Sequence, residues 1–448
     1  MEYDVQGLLE KWGPLLDNEK LPKIRDSHRK ATLAVLLENQ AKACADTTRR
    51  DPTQSLTYLL EAAPANNMGG GNVATYDPVL ISLVRRSMPN LIAYDLCGVQ
   101  PMALPTGLIF ALRSRYGSQV GVEALFQEAN TLFGSDTNLP SQANTVGAQV
   151  GSDPSLLISS GNTAYTKAKA MSTAKMETLG DSATNKFNEM ALSIEKISVQ
   201  AGGKALKAEY THELAQDLKS VHGLDVETEL ANILSAEILS EINREIIRSI
   251  YITATTGAAA GTVTNAGTFD LDVDSNGRWM VEKFKGLMFQ IEREANAIAK
   301  ATRMGKGNKV ICPSDVASAF AMSGFLDYNS ALTSEKLEVD DTGNTYAGKL
   351  FGRYDVYIDP YFSSSAGAQF VTVGYKGKSA FDAGMFYCPY IPLQMYRAVG
   401  QESFQPKIGF KTRYGLVAHP FATASGTGQV HVNHKNKYFR IFRVTNLV

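Results

Sequence analysis

The apolar positions of this chain change period along its length, and each change predicts a change of architecture. The longest helical stripe is Leu230, Ile233, Leu234, Ile238, Ile242, Ile246 and Ile250. That three-to-four spacing predicts one helix of about six turns with a single buried face. Asp225 is placed to cap it, and Glu227 and Glu229 fall in its positively polarised first turn. A shorter helix is predicted just before it, from about Thr211 to Val221, with Leu214, Leu218 and Val221 on one face and Gly223 as the stop. A third is predicted over about Trp279–Arg303, where Met280, Phe284, Leu287, Met288, Ile291, Ala295 and Ile298 share a face. From Asn308 the texture becomes mixed. Lys309–Cys312 reads as a strand and Pro313–Met322 as a short helix. Period-two alternation predicts strands at Arg353–Ile358, Gln369–Tyr375, Gly384–Tyr387, Lys407–Tyr414 and Tyr438–Val444, with an exposed loop over 327–348.

The first half is less regular. Residues 1–61 carry helical stripes (Leu8, Leu9, Trp12, Leu15, Leu16, then Leu33, Leu36, Leu37, then Leu56, Leu59, Leu60) interrupted by Pro14, Pro22 and Pro52. With nine basic and ten acidic residues, this segment reads as a charged helical arm. At Glu61 the composition switches to Ala62-Ala63-Pro64-Ala65-Asn66-Asn67 and then Met68–Asn72, a flexible linker by composition. Residues 78–116 read as a helix followed by a strand at Leu108–Leu112. Residues 117–185 are rich in Ser, Thr, Ala, Gly and Asn with few large apolar side chains, so this stretch builds little core of its own.

Composition narrows the function classes. The 44 basic and 45 acidic residues leave a net charge of −1, which argues against a chain that grips nucleic-acid phosphates through excess positive charge. The N-terminus lacks a secretory pattern, and no apolar run is long enough to span a bilayer. Cys44, Cys97, Cys312 and Cys388 are widely separated, without the paired spacing of a zinc site, and read as buried small hydrophobes.

Candidate chemistry is sparse. His431 and His434 lie three apart without a nearby carboxylate or cysteine ligand. His212 adjoins Glu213 but no nucleophile motif, and His222 precedes Gly223 as a helix end. Met304–Lys309 is glycine-rich and basic but follows a helix and precedes a strand, the reverse of a phosphate-cradling loop. Asp270, Asp272 and Asp274 start like a calcium loop but lack its glycine and its closing glutamate. No catalytic group, metal or cofactor is expected. A cytoplasmic enzyme using the C-terminal half as a substrate domain would need convergent titratable groups that no motif supplies.

One ordered set of segments carries a resemblance. Pro89-Asn90-Leu91-Ile92-Ala93-Tyr94-Asp95-Leu96-Cys97-Gly98-Val99-Gln100-Pro101-Met102 runs on to Pro105-Thr106-Gly107. Asn188–Met190, Leu206–Ala208, Glu213–Leu218, Val221–Gly223, Glu241–Glu245, Val373–Gly377 and Gly409–Gly415 follow in the same order. The chain thereby resembles the major capsid proteins of the contractile-tailed, T-even-like bacteriophages.

That resemblance implies an α+β fold of the Hong Kong 97 type, with an N-terminal arm, an extended loop, a peripheral domain built on a long spine helix, and an axial domain. Laid on this chain, it implies a propeptide arm at 1–61 removed on maturation, an N-arm and the start of the peripheral domain at 62–104, and an extended loop with a reduced insertion at 105–200. The peripheral domain with its spine helix falls at 201–307, and the axial domain with a C-terminal peripheral strand at 308–448. The family is cut by its own prohead protease after a glutamate in a Leu/Ile-x-Glu setting. Leu59, Glu61 and Ala62 fit that pattern at the linker; Leu8-Leu9-Glu10 and Leu36-Leu37-Glu38 also fit it.

The implied product is a homo-hexamer in a capsid lattice, assembled in the host bacterial cytoplasm and ending in the virion. Its partners are the vertex protein, portal, scaffold, prohead protease and decoration proteins of the phage. It encloses DNA without sequence-specific binding. The pentamer-forming vertex protein of the same phages is the alternative within this class.

Overall fold

In a computed structural model of the chain, residues 5–17, 24, 26–50, 91–125, 128–134, 167–168, 170–181, 186–261, 263–275, 277, 279–328, 345–362, 369–400, 404–419 and 434–447 are described. The helices are α1 (Val5–Leu16), α2 (Ser27–Arg50), α3 (Ala93–Leu96), α4 (Thr173–Glu177), α5 (His212–Val221), α6 (Val226–Thr253), α7 (Met280–Thr302) and α8 (Ser314–Met322). The strands are β1 (Gly98–Val99), β2 (Thr106–Tyr116), β3 (Met190–Gln200), β4 (Gly202–Glu209), β5 (Ala254–Thr256), β6 (Thr268–Asp270) and β7 (Lys309–Pro313). They continue with β8 (Leu326–Tyr328), β9 (Thr345–Leu350), β10 (Tyr354–Asp359), β11 (Gln369–Gly374), β12 (Met385–Val399), β13 (Pro406–Ala418) and β14 (Asn436–Thr445). The chain divides into two units, residues 1–109 with 198–448 and residues 110–197; within the first, the part outside the arm at 1–61 is the body.

The body holds two sheets. One runs β1-β12-β13-β4, with β1 parallel to β12 and the remaining pairs antiparallel. The other runs β5-β14-β11-β7-β10-β9-β8, with β6 also pairing β14. Its central strand β7 lies parallel to β10 and antiparallel to β11. Val310, Ile311 and Cys312 on β7 are all buried, as expected of a strand covered on both faces.

Helix α6 packs on β4, β13 and β14 through the predicted stripe; Ile238, Ile242, Ile246 and Ile250 are fully buried. Helix α7 lies on β11 and β14 beside α8. Helix α7 starts at Trp279, whose N–H donates to the Glu282 carboxylate, and it ends at Arg303 in the left-handed region (φ 55°).

Several expectations need correction. Ile233 belongs to the predicted stripe but is 61% exposed; the buried face at this end runs through Val226, Ala231 and Leu234. Leu214, Leu218 and Val221 line one face of α5, yet no residue of that helix is buried. Residues 345–348, the end of the expected loop, fall in β9, with Ala347 and Leu350 of that strand buried. Strands β3 and β4 form where no strand is expected from the sequence. The strand expected at Gly384–Tyr387 runs on to Val399, through register shifts around Pro389–Ile391 and Ile391–Gln394 where prolines interrupt the ladder.

In the second unit, β2 and β3 pair as a ribbon. Its polar face carries Arg113, which pairs with Glu195 (2.8 Å) and Glu123 (3.5 Å), and Arg115, which pairs with Glu195 (3.1 Å) and donates to Ser193 Oγ (2.8 Å). Its other face exposes Phe110, Leu112, Met190, Leu192 and Ile194.

Candidate maturation site and contact surfaces

Leu59, Glu61 and Ala62 lie outside the described residues, as do the linker and the first part, up to residue 90, of the helix-then-strand segment expected over 78–116. Of the arm on their N-terminal side, residues 5–17, 24 and 26–50 are described, and α2 is docked. Helix α2 is buried nearly all round from Thr32 to Leu37, and Leu33, Ala34 and Leu37 belong to the same core cluster as Leu91, Ile92 and Leu96. Ordinary amphipathic logic would bury one face. Here α1 covers the side that the body leaves open.

Polar contacts fix the seat. Arg29 pairs with Asp95 at 2.5 Å and lies over the Tyr94 ring. Asn39 Nδ2 donates to the carbonyls of Met102 (2.8 Å) and Tyr390 (3.0 Å). His28 Nε2 lies 3.1 Å from the Val99 carbonyl. Glu38, one of the three candidate glutamates, accepts from Lys11 (2.7 Å) and from the Trp12 indole (3.3 Å). Burial pushes its carboxyl up, but Lys11, Trp12 and Lys42 outweigh that and hold it below the usual carboxylate range. Glu10, another candidate, is exposed on α1.

Ionic contacts tie the body's layers together. Asp359, at the end of β10, has a fully buried side chain. It accepts from Arg244 of α6 (2.8 Å), the Tyr251 hydroxyl (2.9 Å) and the Tyr361 N–H (3.1 Å). Burial, then Asp359 itself, push the Tyr251 phenol well above its ordinary range. On α7, Glu294 accepts from Arg440 of β14 (2.5 Å), Gln290 (2.7 Å) and the Ala258 N–H (2.8 Å). Lys376 is largely buried and donates to the Tyr94 carbonyl; burial pushes its amine down. The partners in these contacts are 71 or more residues apart for α6 with β10 and for α2 with β1, so no local motif announced them.

Several of the candidate groups make structural contacts. Asp274 accepts from Thr264 N–H and Oγ1 (2.8 Å each) and from Asp270 N–H (2.9 Å), which closes a turn rather than opening an ion cage. His434 Nδ1 contacts the Ala254 carbonyl, and His419 packs between Phe386 and Tyr438; His431 lies outside the described residues. Cys97, Cys312 and Cys388 are buried free thiols; burial pushes those of Cys97 and Cys388 up to about 12. Among the described residues no group of three His, Cys, Asp or Glu side chains is arranged to hold a metal, and no helix is long and apolar enough to cross a membrane.

Ion pairs and hydrogen bonds brace the layers, and apolar faces stand open on the ribbon and on α5. The class of protein comes from the sequence. The profile of the family described as "Major capsid protein Gp23" matches residues 73–444, and the chain belongs to that family of structural proteins. It is 41% identical over 392 residues to the major capsid protein of Serratia phage KSP90, covering 84% of this chain and 86% of that one. It is 35% identical to the major capsid protein of Enterobacteria phage T4, covering 93% and 92%. The capsid vertex protein of phage T4 is more distant, 27% identical over 59% of this chain and 60% of its own length. Among solved structures, the capsid of Myoviridae phage XM1 overlaps 79% of this chain and 92% of its own at 10% identity, with a TM-score of 0.40. That overlap is too loose to add to the assignment, which rests on sequence.

Proposed function

We propose that this chain is the hexamer-forming subunit of a phage head shell with the Hong Kong 97 type of fold. Copies self-assemble in the host bacterial cytoplasm into a head shell that comes to enclose double-stranded DNA. The shell then matures by proteolysis after Glu61 and expands, leaving the subunit in the virion. The observation that carries this reading is the family match over residues 73–444.

In this reading α6 is the spine helix of the peripheral domain, the β2–β3 ribbon is the root of the extended loop, and the β7–β11 region belongs to the axial domain. The net charge of −1 suits a wall that encloses DNA without gripping it and lets copies approach one another with little repulsion. The vertex protein, portal, scaffold, protease and decoration proteins of the phage are its expected partners.

The test is a phage carrying Glu61→Gln. Subunits should fold and assemble, but precursor heads should accumulate that are small, round and poor in DNA and that hold the full-length chain. Mass spectrometry of wild-type virions should find a chain beginning at Ala62. Normal yields of filled heads from the mutant, with a chain cut at position 61, would refute the role given to Glu61. Filled heads whose chains still begin at Met1 would refute removal of the arm.

A further inference from the structure

The sequence presents the same tripeptide twice in the described part of the arm, as Leu8-Leu9-Glu10 and as Leu36-Leu37-Glu38. The structure treats the two copies differently. Glu10 is exposed on α1, whereas Glu38 sits in the middle of α2 with its carboxylate held by Lys11 and Trp12. The residues on either side of it, Leu36, Leu37, Asn39 and Gln40, are each no more than 5% exposed.

Proteases bind their substrates as extended strands. Reaching the bond after Glu38 therefore requires several residues of α2 to unwind and leave their seat on the body. Three contacts oppose that: Arg29 with Asp95, Asn39 with the Met102 and Tyr390 carbonyls, and His28 with the Val99 carbonyl.

We propose that docking of the arm shields the bond after Glu38, so that a glutamate-directed protease cuts there only once α2 has left the body. The protection follows from packing alone. Its place in maturation, as a step that must follow arm release, rests on the reading that the arm is removed. While α2 stays seated, the arm cannot be shortened at Glu38, and the Tyr94–Val99 segment stays covered. Separation from the body comes first and destruction of the arm second.

The test uses the full-length unassembled chain and a glutamyl endopeptidase of the V8 type. Products cut after Glu10 and after Glu38 are followed by mass spectrometry. In the native chain, cutting after Glu38 should be slower than after Glu10 by about tenfold or more, as for a site that needs local opening. In urea-unfolded chain the two rates should converge. Arg29→Glu and Asn39→Ala break different contacts, and each should narrow the native gap several-fold. The bond after Glu294, whose residue is 3% exposed in the body, reports whether the body remains folded. Equal native rates at Glu10 and Glu38 would overturn the proposal. So would variants that keep the body intact and leave Glu38 as protected as in the parent. Filled heads retaining Met1 would refute arm removal and leave this rate ratio untouched, so the two readings fail separately.

Discussion

Asp359→Ala is expected to destabilise the body by about 3 kcal/mol. The carboxylate it removes has no solvent exposure and accepts from Arg244, the Tyr251 hydroxyl and the Tyr361 N–H. Breaking a buried ion pair by deleting one partner costs about 3–5 kcal/mol, because the remaining charge is left uncompensated. The Arg244 side chain is 26% exposed, so water can reach part of the guanidinium and the cost falls to the low end of that range. The Tyr251 hydroxyl, more deeply placed, loses its acceptor, which accounts for about 1 kcal/mol or more of the total. Replacing both charges, Arg244→Met with Asp359→Leu, should cost clearly less than the sum of the two single changes, since neither charge is stranded. Urea unfolding of the unassembled chain gives the difference, with hydrogen exchange in α6 and β10 locating it. A loss below about 1 kcal/mol for Asp359→Ala would refute the argument, because a carboxylate that dispensable is not bracing the layers. A double variant as unstable as the summed singles would also refute it.

Three further outcomes follow from the same packing. Ile242→Ala, at a fully buried position of α6, should cost about 2–5 kcal/mol in urea unfolding, and a cost under about 1 kcal/mol would place this residue outside the core. Gly384→Ala should destabilise or misfold the chain, because an added Cβ would lie 2.3 Å from Tyr438 Cβ; a variant with an unchanged melting temperature would contradict that contact. Stability should fall on the alkaline side. The thiols of Cys97 and Cys388 are pushed to about 12 from 9.0, and the Tyr346 phenol to about 12 from 10.0. Their folded values lie above their unfolded ones, so the stabilisation they give is complete below about pH 9 and is lost as pH rises towards 12. A melting temperature that stays flat from about pH 8 to 11 would refute this.

The helices were legible because their signal is local. The α6 stripe and the apolar face of α7 are each written within a few residues, and both helices appear near the expected positions. Strand β3 was equally local, since Met190, Leu192 and Ile194 alternate with smaller or polar residues, but its apolar side faces outward. Reading strands only as core-builders hides such a pattern. Length was lost in β12, where Pro389 and Pro392 look like breakers yet sit in a long strand that absorbs them as irregular register. The Asp359 node was not legible at all, because its partners lie 108 and 115 residues away and no spacing rule reaches that far. The docking of α2 was legible only in part. Its leucines were visible, but burial on every side depends on α1 and the body together.

The two open apolar faces bear on when the subunit meets its neighbours. The body closes its own core around α6, α7 and the two sheets, so it does not need the ribbon or α5 to be folded. Yet Phe110, Leu112, Met190, Leu192 and Ile194 on the ribbon, and Leu214 and Val221 on α5, remain in solvent. Scattered exposed leucines are ordinary, but side chains gathered on one face of one element mark contact sites. A chain of net charge −1 has little long-range repulsion to keep such faces apart. The subunit is therefore competent to associate as soon as the body folds, while the arm is still seated through Arg29 and Asn39. On the proposed function, assembly is expected to require no prior cut, and proteolysis of the arm to act on a shell already in place. Assembly of the full-length chain in the absence of protease is the outcome this order demands; if only chains lacking 1–61 formed shells, the order would be reversed.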